Sequence, residues 1–246
     1  MATVDLVIPC YNEAHVLAGS VERTLSFLGD HPEHEWRIVV ADNSSTDRTL
    51  EVARELEAQH PGAVVALHIP VKGRGLALRT AWLTSDADVH AYMDVDLSTD
   101  LGHLSALVDP LAADEADLSY GSRLASESET ERGWRREVIS RSYVQILRWG
   151  GGLRVSDAQC GFKAIRREVA RSLLPVVEDT GFFFDSELLI VAQRNGYRLC
   201  EVSVKWTDDP DSRVNVWKTA LSDLRGLWRL CRHGVPAPVG AGPRQT

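Results

Sequence analysis

Long apolar runs are absent from this 246-residue chain: none approaches the ~18 to 20 residues that a bilayer-spanning helix needs. Cysteine is scarce. Cys10, Cys160, Cys200 and Cys231 show no CxxC or Cys/His spacing, so neither a disulfide framework nor a zinc site is expected. The chain enters a strand-like run at Val4 to Ile8 with no basic region or cleavage signal ahead of it, and the expected location is cytoplasmic. No internal repeat is present.

Basic charge is what the first half lacks most. Residues 1–131 hold 8 Lys/Arg against 23 Asp/Glu, which argues against nucleic acid as a partner. An anionic ligand bound there would need a cation or aimed backbone amides. Residues 132–174 reverse the sign with 10 against 3, a candidate site for a second anion or a membrane surface. The remainder balances at 9 against 9, leaving a net charge of −8.

What the chain does have is an ordinary globular composition, 44% hydrophobic and 25% charged, with strands and helices in alternation. Apolar runs at Val4–Ile8, Trp36–Ala41, Ala63–Ile69 and His90–Asp94 read as buried strands. Helical patterns separate them: one with Val16, Val21, Leu25 and Leu28 on a face, capped by Asn12; one over Arg48–His60, capped by Ser45 or Thr46; one through Ser85. The order β-α-β-α-β-α-β implies a mostly parallel sheet with helices on both faces and all four strand C-termini along one edge. Ligands of such sheets bind at that edge. Every polar cluster falls there: Tyr11–Glu13, Asp42–Asp47, Lys72–Gly75 and Asp94–Asp96. Asp94 and Asp96 end a strand, where the two-residue period aims both carboxylates the same way. Two hard oxygen ligands so placed suit a divalent cation that holds a nucleotide's phosphates.

Later elements are a helix near Leu101–Leu111, a strand at Asp117–Gly121, and an exposed polar loop over 124–133. A basic helix follows at Arg135–Trp149, then a polar turn at Ser156–Phe162 and a short helix within Lys163–Leu174. The last three are a helix from Asp185 to Asn195, a strand over Arg198–Lys205, and a final helix, Val216–Cys231. The final helix carries Trp217, Leu221, Leu224, Trp228 and Cys231 on one stripe, expected to face the core, although a basic helix with tryptophans also suits a membrane surface. One domain is expected over residues 1–233, split near residue 123 into two halves, with a Pro/Gly-rich disordered tail at 234–246.

The strand-end motifs, with Gly121-Ser122-Arg123, resemble those of family-2 glycosyltransferases of the GT-A fold. The runs Asp157-Ala158-Gln159-Cys160-Gly161-Phe162-Lys163 and Phe184-Asp185-Ser186-Glu187-Leu188-Leu189 are similar to the polyprenyl-phosphate glucosyltransferase branch. The resemblance implies a three-layer α/β/α domain that moves a hexose from a UDP-sugar to a polyprenyl phosphate, with Mg²⁺ or Mn²⁺ on Asp94 and Asp96. By the same resemblance Pro9, Tyr11, Glu13 and Asp42 line the nucleoside pocket, and Arg74 and Val95 lie near the nucleotide. Arg123, Arg141, Gln159, Glu187 and Arg213 would face the acceptor or sugar. Asp96, Asp157, Asp185 and Arg123 make up the implied catalytic set.

A lipid phosphate is already anionic at neutral pH, whereas a hydroxyl acceptor would need a base, with Asp157 and Asp185 the candidates. Single residues have blander readings too: Gln159 as a turn residue, Glu187 as a helix-surface acid, Lys72 as a solvated lysine, Asp157 as a cap. A nucleotidyltransferase would carry a Gly-rich basic loop after the first strand, where this chain has Pro-Cys-Tyr-Asn-Glu. A non-catalytic nucleotide-sugar scaffold is the remaining alternative.

Overall fold

The computed structural model describes residues 1–124, 130–131, 145, 147, 152–207 and 216–240. Strands Thr3–Cys10 (β1), Glu35–Asn43 (β2), Val64–Ile69 (β3) and Val89–Met93 (β4) alternate with helices Ala14–Gly29 (α1), Thr49–Gln59 (α2) and Arg74–Thr84 (α3). A 3₁₀ turn at Leu101–His103 leads into Leu104–Ala112 (α4), then Leu118–Ser122 (β5) and the two-residue strand Thr130–Glu131 (β6). The second half adds Phe162–Arg166 (β7), Arg167–Leu173 (α5), Phe184–Arg194 (α6), Leu199–Ser203 (β8), Trp206–Thr207 (β9) and Val216–His233 (α7).

Seven strands form one sheet in the order β3-β2-β1-β4-β7-β5-β8, and β6 pairs with β9 beside it. The first four strands are parallel, so their C-termini do share one edge. Strand β7 is antiparallel to both neighbours, β4 and β5. The sequence reading places a turn and a short helix over 156–174 and misses this strand. The cause is Lys163, a charge in mid-strand that breaks the apolar pattern yet is wholly buried.

Alternation along the strands feeds two cores. Leu6, Ile8, Ile38, Val40, Ala91 and Met93 pack with Leu17 and Val21 of α1, Leu56 of α2 and Leu107 of α4. Val7, Val39, Ala41 and Tyr92 pack with Leu78 and Trp82 of α3, Leu173 of α5 and Leu188 of α6. Successive residues on one strand point to opposite faces, so the sheet is the middle of three layers. At ~25 cal/mol per Å², each fully buried Leu or Ile contributes about 2 kcal/mol of transfer free energy.

The helix caps differ from the sequence reading. Asn12 adopts φ 59° and reaches across to the next loop, where its Oδ1 accepts from Thr46 N at 2.8 Å. Asp47, rather than Ser45 or Thr46, serves the α2 start, its Oδ1 accepting from Thr49 N at 2.9 Å. Its other oxygen accepts from Ala14 N of α1 at 3.3 Å, and Thr49 Oγ1 accepts from Glu13 N at 2.9 Å. The two strand-end loops are thereby locked together.

Residues 234–240, expected to belong to a disordered tail, dock on α5 and α6. Val239 donates its N–H to Ser172 O at 2.9 Å, and Asn195 Nδ2 donates to Pro236 O at 2.9 Å. No helix among the described residues is long and apolar enough to cross a membrane.

Candidate active site

The edge where β1, β2 and β4 end is built from strained turns. Asn12, Ser44 and Leu97 all adopt positive φ, 59°, 60° and 54°, just after those strands. Such left-handed backbone costs about 1 kcal/mol or more at a non-glycine residue and clusters at functional sites. Strand β4 stops at Met93, so Asp94 and Asp96 lie beyond the ladder and strand period does not aim them. Asp94 is half exposed. Asp96 is exposed and accepts from Ser98 N at 3.0 Å, shaping the turn. Val95, expected to touch the nucleotide, turns its side chain into the core.

Asp94 is held by two neighbours. Arg74, at the start of α3, donates from Nη2 to Asp94 Oδ1 at 2.6 Å and from Nη1 to Asp185 Oδ2 at 2.6 Å. On the other side lies Gly161, whose missing side chain makes the room: a Cβ there would overlap the Asp94 carboxylate. Behind them the wholly buried Lys163 contacts Asp185 Oδ1 at 3.1 Å and donates to Cys160 O at 2.6 Å. Tyr92 O–H also donates to Asp185. Burial would raise the Asp185 pKa, but Lys163 and Arg74 outweigh it and hold the carboxylate below its usual range. Tyr92, buried and facing the Asp185 charge, is pushed well up and stays a phenol.

A second ion pair fixes the adjoining loop. Arg123 follows β5 and grips Asp157 with Nε at 2.7 Å and Nη2 at 3.0 Å, a two-point contact suited to guanidinium and carboxylate. Asp157 also accepts from Gln159 N at 3.1 Å, so its turn-capping reading holds alongside the ion pair. Burial acts to raise its pKa, yet Arg123 keeps it lowered. The Arg123 guanidinium lies 5.4 Å from the centre of the Trp206 ring. Gln159 reaches beyond the turn: its Nε2 donates to Asp223 Oδ2 on α7 at 2.7 Å. The Cys160 thiol is pushed up to about 12, chiefly by burial, which makes it inert.

At the nucleoside end, Pro9, Tyr11 and Glu13 are partly exposed where β1 meets α1. Lys72 is exposed, as expected, but its Nζ sits 3.2 Å from the centre of the Tyr11 ring. Asp42 is fully buried and pairs with His68 Nδ1 at 2.7 Å. Asn43 Oδ1 accepts from Gly73 N at 2.6 Å, tying the β2 loop to the start of α3. The field here is negative: after burial, Glu13, Asp42, Asp94 and Asp47 all push the Cys10 thiol upward.

Glu187 is neither surface acid nor site wall. It is buried, accepts from Asp179 N at 2.7 Å and pairs with Arg229 of α7 at 2.6 Å. Arg141 and Arg213, and most of the expected 135–149 helix and 124–133 loop, lie outside the described residues. Lys163, Tyr92 and Gly161 are central here and absent from the residues singled out in the sequence. The motif Gln159-Cys160-Gly161-Phe162-Lys163 contained two of them, but as family text without a physical role.

The donor set suits a hard divalent cation. No group of three or more His, Cys, Asp or Glu that could hold a metal exists among the described residues. Asp94 and Asp96, both with solvent-facing carboxylates, are hard oxygen donors of the kind Mg²⁺ or Mn²⁺ takes alongside diphosphate and water.

Known proteins share this chain's sequence pattern and fold. A family model described as glycosyl transferase family 2 matches residues 5–174. A glycosyltransferase of Haloferax volcanii, AglD, is 35% identical over 233 residues, covering 92% of this chain and 37% of that protein. A dolichyl-phosphate beta-glucosyltransferase of Trichomonas vaginalis is 27% identical over 220 residues, covering 85% of this chain and 65% of its own length. The chain thus spans less than two thirds of these two relatives. Among solved structures, glucosyl-3-phosphoglycerate synthase of Mycobacterium tuberculosis, bound to Mn²⁺, UDP and phosphoglyceric acid, superposes with a TM-score of 0.67 at 23% identity. That match covers 96% of this chain and 80% of the other, and it shares the α/β/α architecture.

Proposed function

The chain belongs to glycosyl transferase family 2, and from that premise we propose that it moves a hexose, glucose in our reading, from a UDP-sugar to the phosphate of a polyprenyl monophosphate. One observation carries the choice of acceptor: both carboxylates that could act as a base are already committed. Asp157 is gripped at two points by Arg123 and Asp185 is held by Lys163, Arg74 and Tyr92, and each has its pKa lowered. A carboxylate so stabilised is a poor proton acceptor. A hydroxyl acceptor needs one; a phosphomonoester, with a second pKa of about 6, does not.

The protein's task is then alignment and charge neutralisation. Asp94 and Asp96 would hold Mg²⁺ or Mn²⁺, which when bound neutralises charge on the leaving nucleoside diphosphate. Arg74, poised between Asp94 and Asp185, turns toward the donor phosphates. Arg123, pinned by Asp157 and stacked near Trp206, receives the acceptor phosphate. Pro9, Tyr11 and Glu13 line the nucleoside pocket; Asp42, wholly buried against His68, does not reach its surface. In-line attack inverts the anomeric carbon and gives a β-linked product from an α-linked donor. A lipid acceptor places the work at a membrane surface, the cytoplasmic face in our reading.

The supporting test is transfer of radiolabelled glucose from UDP-glucose with Mg²⁺ to a short polyprenyl phosphate, with the matching polyprenol in parallel. Product from the phosphate alone is expected. Product from the alcohol alone, or no metal-dependent UDP binding, would overturn the reading.

A further inference from the structure

Helix α7 has two faces of opposite character. Its inner face holds Asp223, Gly226, Leu227 and Leu230, all buried. Gly226 lets the helix press on Phe183, where a Cβ would overlap the ring. Arg229 ties the same side to α6 through Glu187 at 2.6 Å. The outer face shows Leu224, 46% exposed, and Trp228, 61% exposed, with Cys231 also exposed. Steps of four and three residues put these on one stripe. These three belong to the stripe expected, from its spacing, to face the core; the structure turns them outward.

Charge distinguishes this stripe from a chance exposure. Over Val216–His233 there are four Lys/Arg and one acid, Asp223, which is buried. Arg225 and Arg232 are exposed on the flank of the stripe, and the Arg232 guanidinium stands 5.3 Å from the centre of the Trp228 ring. A cationic, apolar strip therefore projects from a chain whose net charge is −8.

We propose that this outer face of α7 docks on an anionic lipid bilayer. Leu224 and Trp228 would enter the interface while Arg225 and Arg232 meet lipid phosphates at headgroup depth. The proposal deepens the lipid-acceptor reading and rests on it for its purpose. Position supports it. Asp223 accepts from Gln159, whose backbone N–H is bonded to Asp157, the partner of Arg123. Phe183 packs on the helix, and the ring of its neighbour Phe182, 41% exposed, lies 5.8 Å from the Arg74 guanidinium. A membrane on the outer face of α7 would thus be separated from the Asp157–Gln159 turn by one helix diameter, roughly 10 Å. A second copy fits this face less well. A two-fold pairing of the stripe with itself would set the exposed Arg225 and Arg232 of one copy against those of the other, and the helix has no exposed acid to offset them.

The test is sedimentation of the full chain with vesicles of phosphatidylcholine alone or mixed equally with phosphatidylglycerol. Binding to the anionic vesicles is expected. Arg225→Gln and Arg232→Gln should each weaken it about fivefold, the worth of one basic residue near such a surface. Trp228→Ser with Leu224→Ser should weaken it roughly tenfold or more. These variants should keep transfer to a water-soluble short-chain acceptor in vesicle-free buffer, so loss of docking and failure of the lipid-phosphate reading give different results. Wild-type protein that stays in the supernatant, or binds both vesicle types equally, overturns the proposal. A dimer in light scattering that Trp228→Ser dissolves also overturns it, since the face would then join two copies.

Discussion

Gly161 and Asp94 occupy what would be one volume if either were larger: a Cβ on Gly161 would overlap the Asp94 carboxylate, lying 2.8 Å from even its farther oxygen. The neighbour that must yield is the end of a half-exposed side chain, not backbone. Gly161→Ala should therefore leave the fold within about 1 kcal/mol of wild type. Its cost falls on Asp94, pushed from its place between Arg74 and the 157–161 turn. Mn²⁺-dependent UDP binding, followed by calorimetry, should weaken at least tenfold. An Ala variant that binds UDP normally would show that Asp94 needs no fixed position.

Arg74 and a cation compete for the same carboxylate. Its guanidinium neutralises Asp94 and Asp185 together, and its own pKa is raised well above normal because Asp94, Tyr92 and Asp185 outweigh burial. Arg74→Met should free Asp94 and tighten binding of Mn²⁺ alone severalfold, read by the Mn²⁺ paramagnetic signal. The same change should weaken UDP binding, because the phosphates lose a donor. If Mn²⁺ alone binds less tightly in the variant, the arginine assists the cation instead of opposing it.

Lys163 and Asp185 form a pair with almost no exposure, 0% and 2%. Removing one partner of a buried pair costs about 3–5 kcal/mol. Lys163→Met should approach that loss in chemical denaturation, softened because Arg74 and Tyr92 still serve Asp185. Asp185→Asn should cost more, since it strands a buried ammonium. The double variant should lose clearly less than the sum, as expected for coupled residues; strict additivity would mean the two do not act as a unit.

These pairs also mark what the sequence could not disclose. The parallel run β1 to β4 was readable because each strand is a short apolar block ending in a polar cluster, and Asp94 and Asp96 stood out for the same reason. Lys163 hid β7, because a lysine in a central strand is intelligible only once Asp185, 22 residues on, is placed against it. Helix α7 misled differently. Its core face includes Asp223 and Gly226, which no hydrophobic count scores as core, while Leu224, Trp228 and Cys231 face outward. Pattern identifies a helix; only packing decides which side is inside.

His90 supplies a prediction about acid. It lies on β4 opposite Asp5 of β1 and Ile165 of β7, with no exposed surface and no hydrogen-bond partner for either ring nitrogen among the described residues. Burial lowers its pKa from 6.5 to about 4; Asp5 opposes this, while Arg167, Arg171 and Arg37 reinforce it. The folded imidazole thus stays neutral between those values while the unfolded one takes a proton. Where the unfolded state binds more protons, stability rises with pH, so it should fall as pH drops from 6.5 toward 4 and level off below. A gap of that size corresponds to roughly 3 kcal/mol. The lowered carboxylates Asp157 and Asp185 act in a separate window, below their ordinary 3.8. His90→Leu should remove the upper limb and keep the lower one, measured by urea unfolding at pH 7, 5, 4 and 3. It should also raise stability at pH 7, because two unsatisfied ring nitrogens leave the core. A His90→Leu protein that loses stability between pH 6.5 and 4 as steeply as wild type would place the acid-sensitive group elsewhere.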